Sequence, residues 1–184
     1  MIILLDRDGI INEDSLSYIK SIDEFFFLPG SIHAIAQLTQ AGYRIGIATN
    51  QSGIARGFYD ERTLQAIHEH MLTYVRAAGG DIEVIQYCPH HPDQACWCRK
   101  PNPGMLQSIA SYFGCDLFDV PFVGDKISDI QAAEAAGAKP ILITQLDSDI
   151  DMIRQQDYQH VPRFDSLSQF VDDRLKKYQS INLN

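Results

Sequence analysis

Asp6 and Asp8 stand one residue apart where an apolar run, Ile2 to Leu5, gives way to Arg7, Gly9 and a loop. The run has the length and character of a short buried strand, and alternation along an extended backbone puts both carboxylates on one side of its end. In a parallel α/β sheet the carboxyl ends of the strands border the crevice where ligands bind. A polar strand exit into a turn would use the same residue types, so the pair takes its meaning from the other strand ends. After a second apolar stretch come Thr49, Asn50, Gln51, Ser52 and Gly53, then Arg56 and Gly57. Short polar side chains, freed amides and glycines in such a loop can hold phosphate oxygens. A fourth stretch runs out into Gly124, Asp125 and Lys126, with Asp129 one helical turn later. Arg99 and Lys100, ahead of Pro101, add adjacent fixed cations. Carboxylates for a hard cation, a phosphate loop and positive charges thus occur in the order that phosphoryl transfer needs.

Between the phosphate loop and these cations lies Cys88, Pro89, His90, His91, Pro92, then Cys96, Trp97 and Cys98. Three of the four cysteines and two of the six histidines fall in this segment. C-x-H followed by C-x-C supplies three sulfurs and an imidazole, a tetrahedral zinc set with no position left for water, so the ion would be structural. The set Cys88, His90, Cys96 and Cys98 is favoured over a patch of reduced thiols with polar loop histidines. Cys115 reads as a small buried hydrophobe. His33, His68, His70 and His160 read as ordinary surface or packing residues.

The elements that must position these groups alternate strand and helix. Strands are predicted at 2–6, 44–48, 82–87, 120–124 and 140–144. Leu64, Ile67, Met71, Leu72, Val75 and Ala78 recur at helical spacing, with Asp60 as N-cap and Gly79–Gly80 as the stop. Further helices are predicted near 31–41, 104–113 and 128–136, the last two followed by Gly114 and Gly137. Alternation of this kind implies one doubly wound, Rossmann-like parallel sheet covered by helices on both faces. Beyond about 147 a peripheral strand and a helix near 166–177 are expected, and the last few residues should fray.

With 184 residues, 45% of them hydrophobic, the chain suits one domain spanning 1–184 with a zinc loop inserted at about 88–98. A formal charge of −9 and a pI near 4.9 argue against binding to nucleic acid or to an anionic membrane surface. An anionic substrate must then be small and met by local cations. No apolar run approaches the ~20 residues of a membrane span, and no signal peptide stands at the N-terminus. A cytoplasmic monomer is the expectation.

The segments DRDG at 6–9, TNQSGIARG at 49–57, CPHHP and CWCRKP within 88–101, and GDKISD at 124–129 resemble the haloacid dehalogenase superfamily. Within it they are most similar to the D-glycero-D-manno-heptose 1,7-bisphosphate 7-phosphatase family, over about residues 2–145. Ile10 departs from the threonine often found after DxDG, and the interval from His91 to Cys96 is shorter than in some members. The resemblance implies an Mg²⁺-dependent phosphomonoester hydrolase. In it Asp6 would attack phosphorus to form an aspartyl phosphate, and Asp8 would protonate the departing sugar oxygen and later deprotonate water. Mg²⁺ would bridge Asp6, the Asp8 backbone carbonyl and Asp125. Thr49, Asn50, Arg99 and Lys100 would hold the transferring phosphoryl group, with Lys126 neutralising charge near the nucleophile.

Many relatives cover the crevice with a cap domain, but the intervals 9–48 and 58–87 are each largely used by one helix, which leaves no room for one. Substrate choice must rest on short loops: residues 13–28 with Asp14, Ser17 and Tyr18, the turn around Gln51, Ser52 and Arg56, and the zinc loop. Two alternatives stand beside the 7-phosphatase. Histidinol-phosphate phosphatases share the zinc loop but usually depart from SGIARG. A catalytically silent phosphosugar-binding or phosphoacceptor module would not need Asp8 two residues from Asp6.

Overall fold

The computed structural model describes residues 1–144 and 158–182. Six parallel strands form one sheet: β1 (Ile2–Leu5), β2 (Arg44–Asn50), β3 (Val84–Cys88), β4 (Pro121–Gly124), β5 (Lys139–Ile143) and β6 (Arg163–Phe164). Their order is β3-β2-β1-β4-β5-β6. The chain winds outward in one direction from β1 to β3 and in the other from β4 to β6. A crevice therefore opens between the carboxyl ends of β1 and β4, the switch point at which such sheets bind ligands.

Helices α1 (Ser31–Gln40), α2 (Glu61–Ala77), α3 (Gly104–Phe113), α4 (Ile127–Ala136) and α5 (Leu167–Asn182) cover the sheet. Alternation along the strands divides the core in two. Ile3, Leu5, Ile45, Ile47 and Val123 pack with Ile35, Leu38, Ile67, Met71, Val75, Phe170 and Val171 from α1, α2 and α5. Leu4, Ala48 and Phe122 turn the other way, onto Leu106, Ile109, Ala132 and Ala133 of α3 and α4. Near-continuous apolar strands are what a sheet buried on both faces requires.

Helix boundaries follow their caps. Asp60 accepts a hydrogen bond from the Thr63 amide at 2.8 Å to start α2, while α3 and α4 end on left-handed Gly114 and Gly137. Observed and predicted elements differ by two residues or fewer at most ends. The exception is α5, which continues to Asn182 instead of stopping near 177. The expected peripheral strand is β6, only two residues long and paired to β5. The expected fraying at 183–184 lies outside the described residues. No second sheet and no helical cap interrupts the segments after β1 and β2. Cys115 is only half-buried, at the margin of the α3–α4 core.

Candidate active site

Asp6 leaves the end of β1 with its amide bonded to Val123 O of β4 at 2.8 Å, which fixes its carboxylate at the switch point. Lys100 Nζ lies 2.8 Å from Asp6 Oδ2, 2.8 Å from Asp129 Oδ1 and 2.9 Å from Ala48 O, and its side chain is 1% exposed. Asn50 holds this lysine in place: its amide group donates to Lys100 O and accepts from Lys100 N, both at 3.1 Å. Burial disfavours the charge on Lys100, but Asp129 and Asp6 outweigh it and raise its pKa. Burial likewise pushes Asp6 up to about 6, against the pull of Lys100. Across the crevice Asp125 follows β4, and burial, with Asp129 and Asp6 nearby, pushes it up to about 8 despite Lys126.

Oxygens of Asp6, Asp125 and Asp129 lie within 4.8 Å of one another. Asp129 is already engaged, since Oδ2 accepts from the amides of Asp125 and Lys126 at 3.2 and 3.0 Å as the α4 cap. Asp125 Oδ1 is buried and has no partner among the described residues. Gly9, at φ +80°, lets that carboxylate come close, since a Cβ there would overlap Asp125 Oδ2. An orphaned carboxylate oxygen beside a second buried carboxylate fits a hard divalent cation that takes oxygen ligands.

Asp8 sits in a separate cluster of donors. Arg7 Nη2 reaches Oδ1 at 2.7 Å and Oδ2 at 3.0 Å, and Arg7 Nε reaches Oδ1 at 3.1 Å. Asn12 Nδ2 donates to Oδ1 and Gln51 Nε2 to Oδ2, both at 2.8 Å. Burial opposes the charge on Asp8, but Arg7 and these hydrogen bonds prevail and lower its pKa. Gln51 is itself fixed: its amide also donates to Thr49 Oγ1 at 2.8 Å, and Tyr59 O–H donates to its Oε1 at 2.6 Å.

The structure sorts the predicted substrate residues into three groups. Thr49, near the end of β2, and Ser52, in the loop after it, are buried, and Arg99, whose Nη1 is buried without a partner among the described residues, follows the cysteine loop. The side chains of Asn50 and Gln51 are engaged on Lys100 and on Asp8 and Thr49, respectively. Asp14, Ser17, Tyr18, Arg56 and Lys126 lie outward. Lys126 Nζ pairs with Asp14 Oδ2 at 2.8 Å, and Tyr18, at φ +65°, packs on Phe58 with ring centroids 5.0 Å apart. The cation in direct contact with the nucleophile is Lys100; Lys126, expected near the nucleophile, pairs with Asp14 and still favours the charged forms of Asp6 and Asp125.

Cys88, His90, Cys96 and Cys98 converge, whereas His91 turns away to Asp93. Cys88 Sγ lies 3.7 Å from Cys96 Sγ and 3.5 Å from His90 Nδ1, and Cys98 Sγ lies 3.3 Å from the same nitrogen. Bond lengths of about 2.3 Å to sulfur and 2.0–2.1 Å to nitrogen make tetrahedron edges of about 3.8 and 3.6 Å, so the cluster has the dimensions of a zinc site. Burial pushes the Cys88 thiol up to about 12, a proton that a divalent cation would displace.

Residues 97–170 match the HAD-hydrolase-like family model. The D-glycero-β-D-manno-heptose-1,7-bisphosphate 7-phosphatase of Pseudomonas aeruginosa is 51% identical over 142 residues, 77% of this chain and 80% of that one. The enzyme of the same name from Escherichia coli K12 is 43% identical over 151 residues, 77% of this chain and 78% of its own. The crystal structure of D,D-heptose 1,7-bisphosphate phosphatase from B. bronchiseptica, complexed with magnesium and phosphate, superposes with a TM-score of 0.91. It is 44% identical and covers 96% of this chain and 98% of that one. The chain belongs to this phosphatase family of the haloacid dehalogenase superfamily.

Family motifs account for the carboxylates, the loop after β2 and the cysteines, but not for everything the site contains. Sequence reasoning missed Arg7 as a buried residue, along with Asn12 and Tyr59. His68 is a correction: it is not an ordinary packing histidine, for its Nε2 lies 3.2 Å from Arg7 Nη1. Because a guanidinium only donates, Nε2 accepts and the ring is neutral with its proton on Nδ1. Burial, reinforced by the Arg7 charge, pushes the His68 pKa down to about 3. The available signal was Arg7 itself, a charged residue directly after a buried strand, which must be paired to be buried there.

Proposed function

We propose that this phosphatase removes the 7-phosphate of D-glycero-D-manno-heptose 1,7-bisphosphate through an aspartyl-phosphate intermediate. The observation that carries the chemistry is Asp6, held by buried Lys100 and facing the partnerless oxygen of Asp125. The substrate rests on the family, since the relatives above carry that activity in their names.

Asp6 attacks phosphorus in line, and the bond from phosphorus to the sugar oxygen breaks. Asp8, which must take up a proton against the pull of Arg7 before it can act as the acid, gives that proton to the departing oxygen, then takes one from the water that attacks the acyl phosphate, so that inorganic phosphate leaves and both aspartates return to the states in which they began the cycle. Asp6, Asp125 and the Asp8 backbone carbonyl would hold Mg²⁺, which when bound offsets charge on the phosphoryl oxygens. Lys100 keeps Asp6 anionic against its burial, and Thr49, Ser52 and Arg99 hold the phosphoryl oxygens. Arg99 Nη1, buried without a partner among the described residues, supports that role. Asp14, Ser17, Tyr18, Arg56 and Lys126 would meet the rest of the sugar and its second phosphate.

Zn²⁺ would be bound by Cys88, His90, Cys96 and Cys98 and would stiffen the loop that presents Arg99 and Lys100. We read the whole chain, 1–184, as one domain acting as a cytoplasmic monomer on a small phosphosugar. No described helix is long and apolar enough to cross a membrane.

The test is a phosphate-release panel with Mg²⁺, comparing both anomers of the heptose bisphosphate with histidinol phosphate. A higher kcat/KM for one of the bisphosphates is expected. A marked preference for histidinol phosphate would overturn the substrate, and absence of turnover would overturn the chemistry.

A further inference from the structure

Arg7 heads the largest fully buried side chains among the described residues, at 1% exposure. A guanidinium in the interior is costly unless its donors are met. Four donor contacts are made here: three onto the Asp8 carboxylate, from Nε and Nη2, and one from Nη1 onto His68 Nε2. The Phe25 ring lies 5.8 Å below the guanidinium carbon, which blocks movement on that side. His68 projects from α2, a helix that contributes none of the residues proposed to touch substrate or metal. His68 is 8% exposed, and its ring packs edge-on to Tyr87 of β3 at 6.3 Å.

Replacing a buried ion pair whole by apolar side chains of similar volume is often neutral for stability, so stability alone does not account for this set. What the charged set adds is direction. Nε and Nη2 form a planar fork that fixes the plane of a carboxylate, and Asn12 and Gln51 approach the same two oxygens at 2.8 Å from elsewhere. Five donor contacts thus converge on a group with about four acceptor positions. We propose that His68 and Arg7 form a positioning relay from α2 to Asp8, in which the histidine orients the guanidinium and the guanidinium sets the carboxylate that transfers protons. Neither is a catalytic residue, since neither would touch substrate. The proposal rests on the role of Asp8 given above.

Proton transfer to the leaving group distinguishes this role from a structural one. Heptose 1-phosphate leaves as an alcohol and needs the proton from Asp8, whereas p-nitrophenolate departs from p-nitrophenyl phosphate without one. First-turnover release of each leaving group should be measured with Mg²⁺ in wild type, Arg7→Lys, His68→Leu, His68→Gln and Asp8→Asn. Arg7→Lys and His68→Leu should slow release of heptose 1-phosphate about 10- to 100-fold, the cost of a displaced catalytic group. Their first-turnover release of p-nitrophenolate should change much less. His68→Gln, whose amide oxygen can accept from Nη1, should recover most of the heptose rate. Equal slowing with both leaving groups, or no slowing in a folded variant, would overturn the relay. If neither Arg7→Lys nor His68→Leu folds, the role is structural and the proposal also fails. Asp8→Asn separates the two levels: if it too leaves heptose release intact, the assignment of Asp8 is at fault. If it alone is slow, only the relay is.

Discussion

Replacing His68 by glutamine should flatten the acid limb of the stability curve. His68 is held neutral inside the protein with a pKa near 3, set by burial and then by the Arg7 charge, against about 6.5 in an unfolded chain. As pH falls the unfolded chain takes up this proton first. The contribution of His68 is therefore complete above pH ~6.5 and is lost progressively toward pH ~3. At pH 5 the unfolded chain has gained about 1.5 units of protonation advantage, so this one group costs about 2 kcal/mol of stability. Glutamine offers Arg7 an acceptor oxygen and does not titrate. Buried Asp6 and Asp125 have raised pKa values and shift stability the other way, so the two proteins must be compared at each pH, where that shared part cancels. Urea unfolding at pH 7 and pH 5 is the assay. Whatever the offset at pH 7, the variant should gain about 2 kcal/mol on wild type by pH 5. Parallel curves would mean that His68 is not held neutral and that the Arg7 contact is misassigned.

Asp6→Asn should abolish phosphate release while circular dichroism stays native, because an amide keeps the shape but cannot act as the anionic nucleophile; near wild-type turnover in a folded variant would remove Asp6 from the mechanism. Cys96→Ser should lose the single tightly held zinc expected per chain and lower the Tm, and metal analysis finding no zinc in wild type prepared without chelators would eliminate that site. Arg56→Ala, at an exposed position in the loop after β2, should raise KM for the bisphosphate about tenfold, the value of one charge-assisted contact, and should leave a sugar monophosphate little affected. Equal effects on the two substrates would place the second phosphate elsewhere.

The strands along the chain and the site's acidic residues were legible because they depend on local pattern. Ile2–Leu5 and the stretches before Thr49 and Asp125 are largely apolar, which marks them as strands buried on both faces and puts the polar residues after them at the crevice. Cys88, His90, Cys96 and Cys98 were legible from spacing. What the sequence hid is which way side chains turn after a strand ends. Asn50 and Gln51 read as phosphate ligands by type, yet each satisfies its amide on neighbouring groups, Lys100 for one and Asp8, Thr49 and Tyr59 for the other. Lys126 and Lys100 are both lysines near the crevice. Only packing separates the first, more than a third exposed and paired to Asp14, from the second, buried between Asp6 and Asp129. His68 sits 61 residues from Arg7 in the chain, and nothing local to α2 announces that contact.

The central claim is tested most directly by phosphorus NMR of D-glycero-D-manno-heptose 1,7-bisphosphate incubated with the Mg²⁺-loaded protein. The account predicts that the signal of the primary 7-phosphate is replaced by inorganic phosphate while the anomeric 1-phosphate signal persists. Loss of the anomeric signal first, or survival of both, would contradict it.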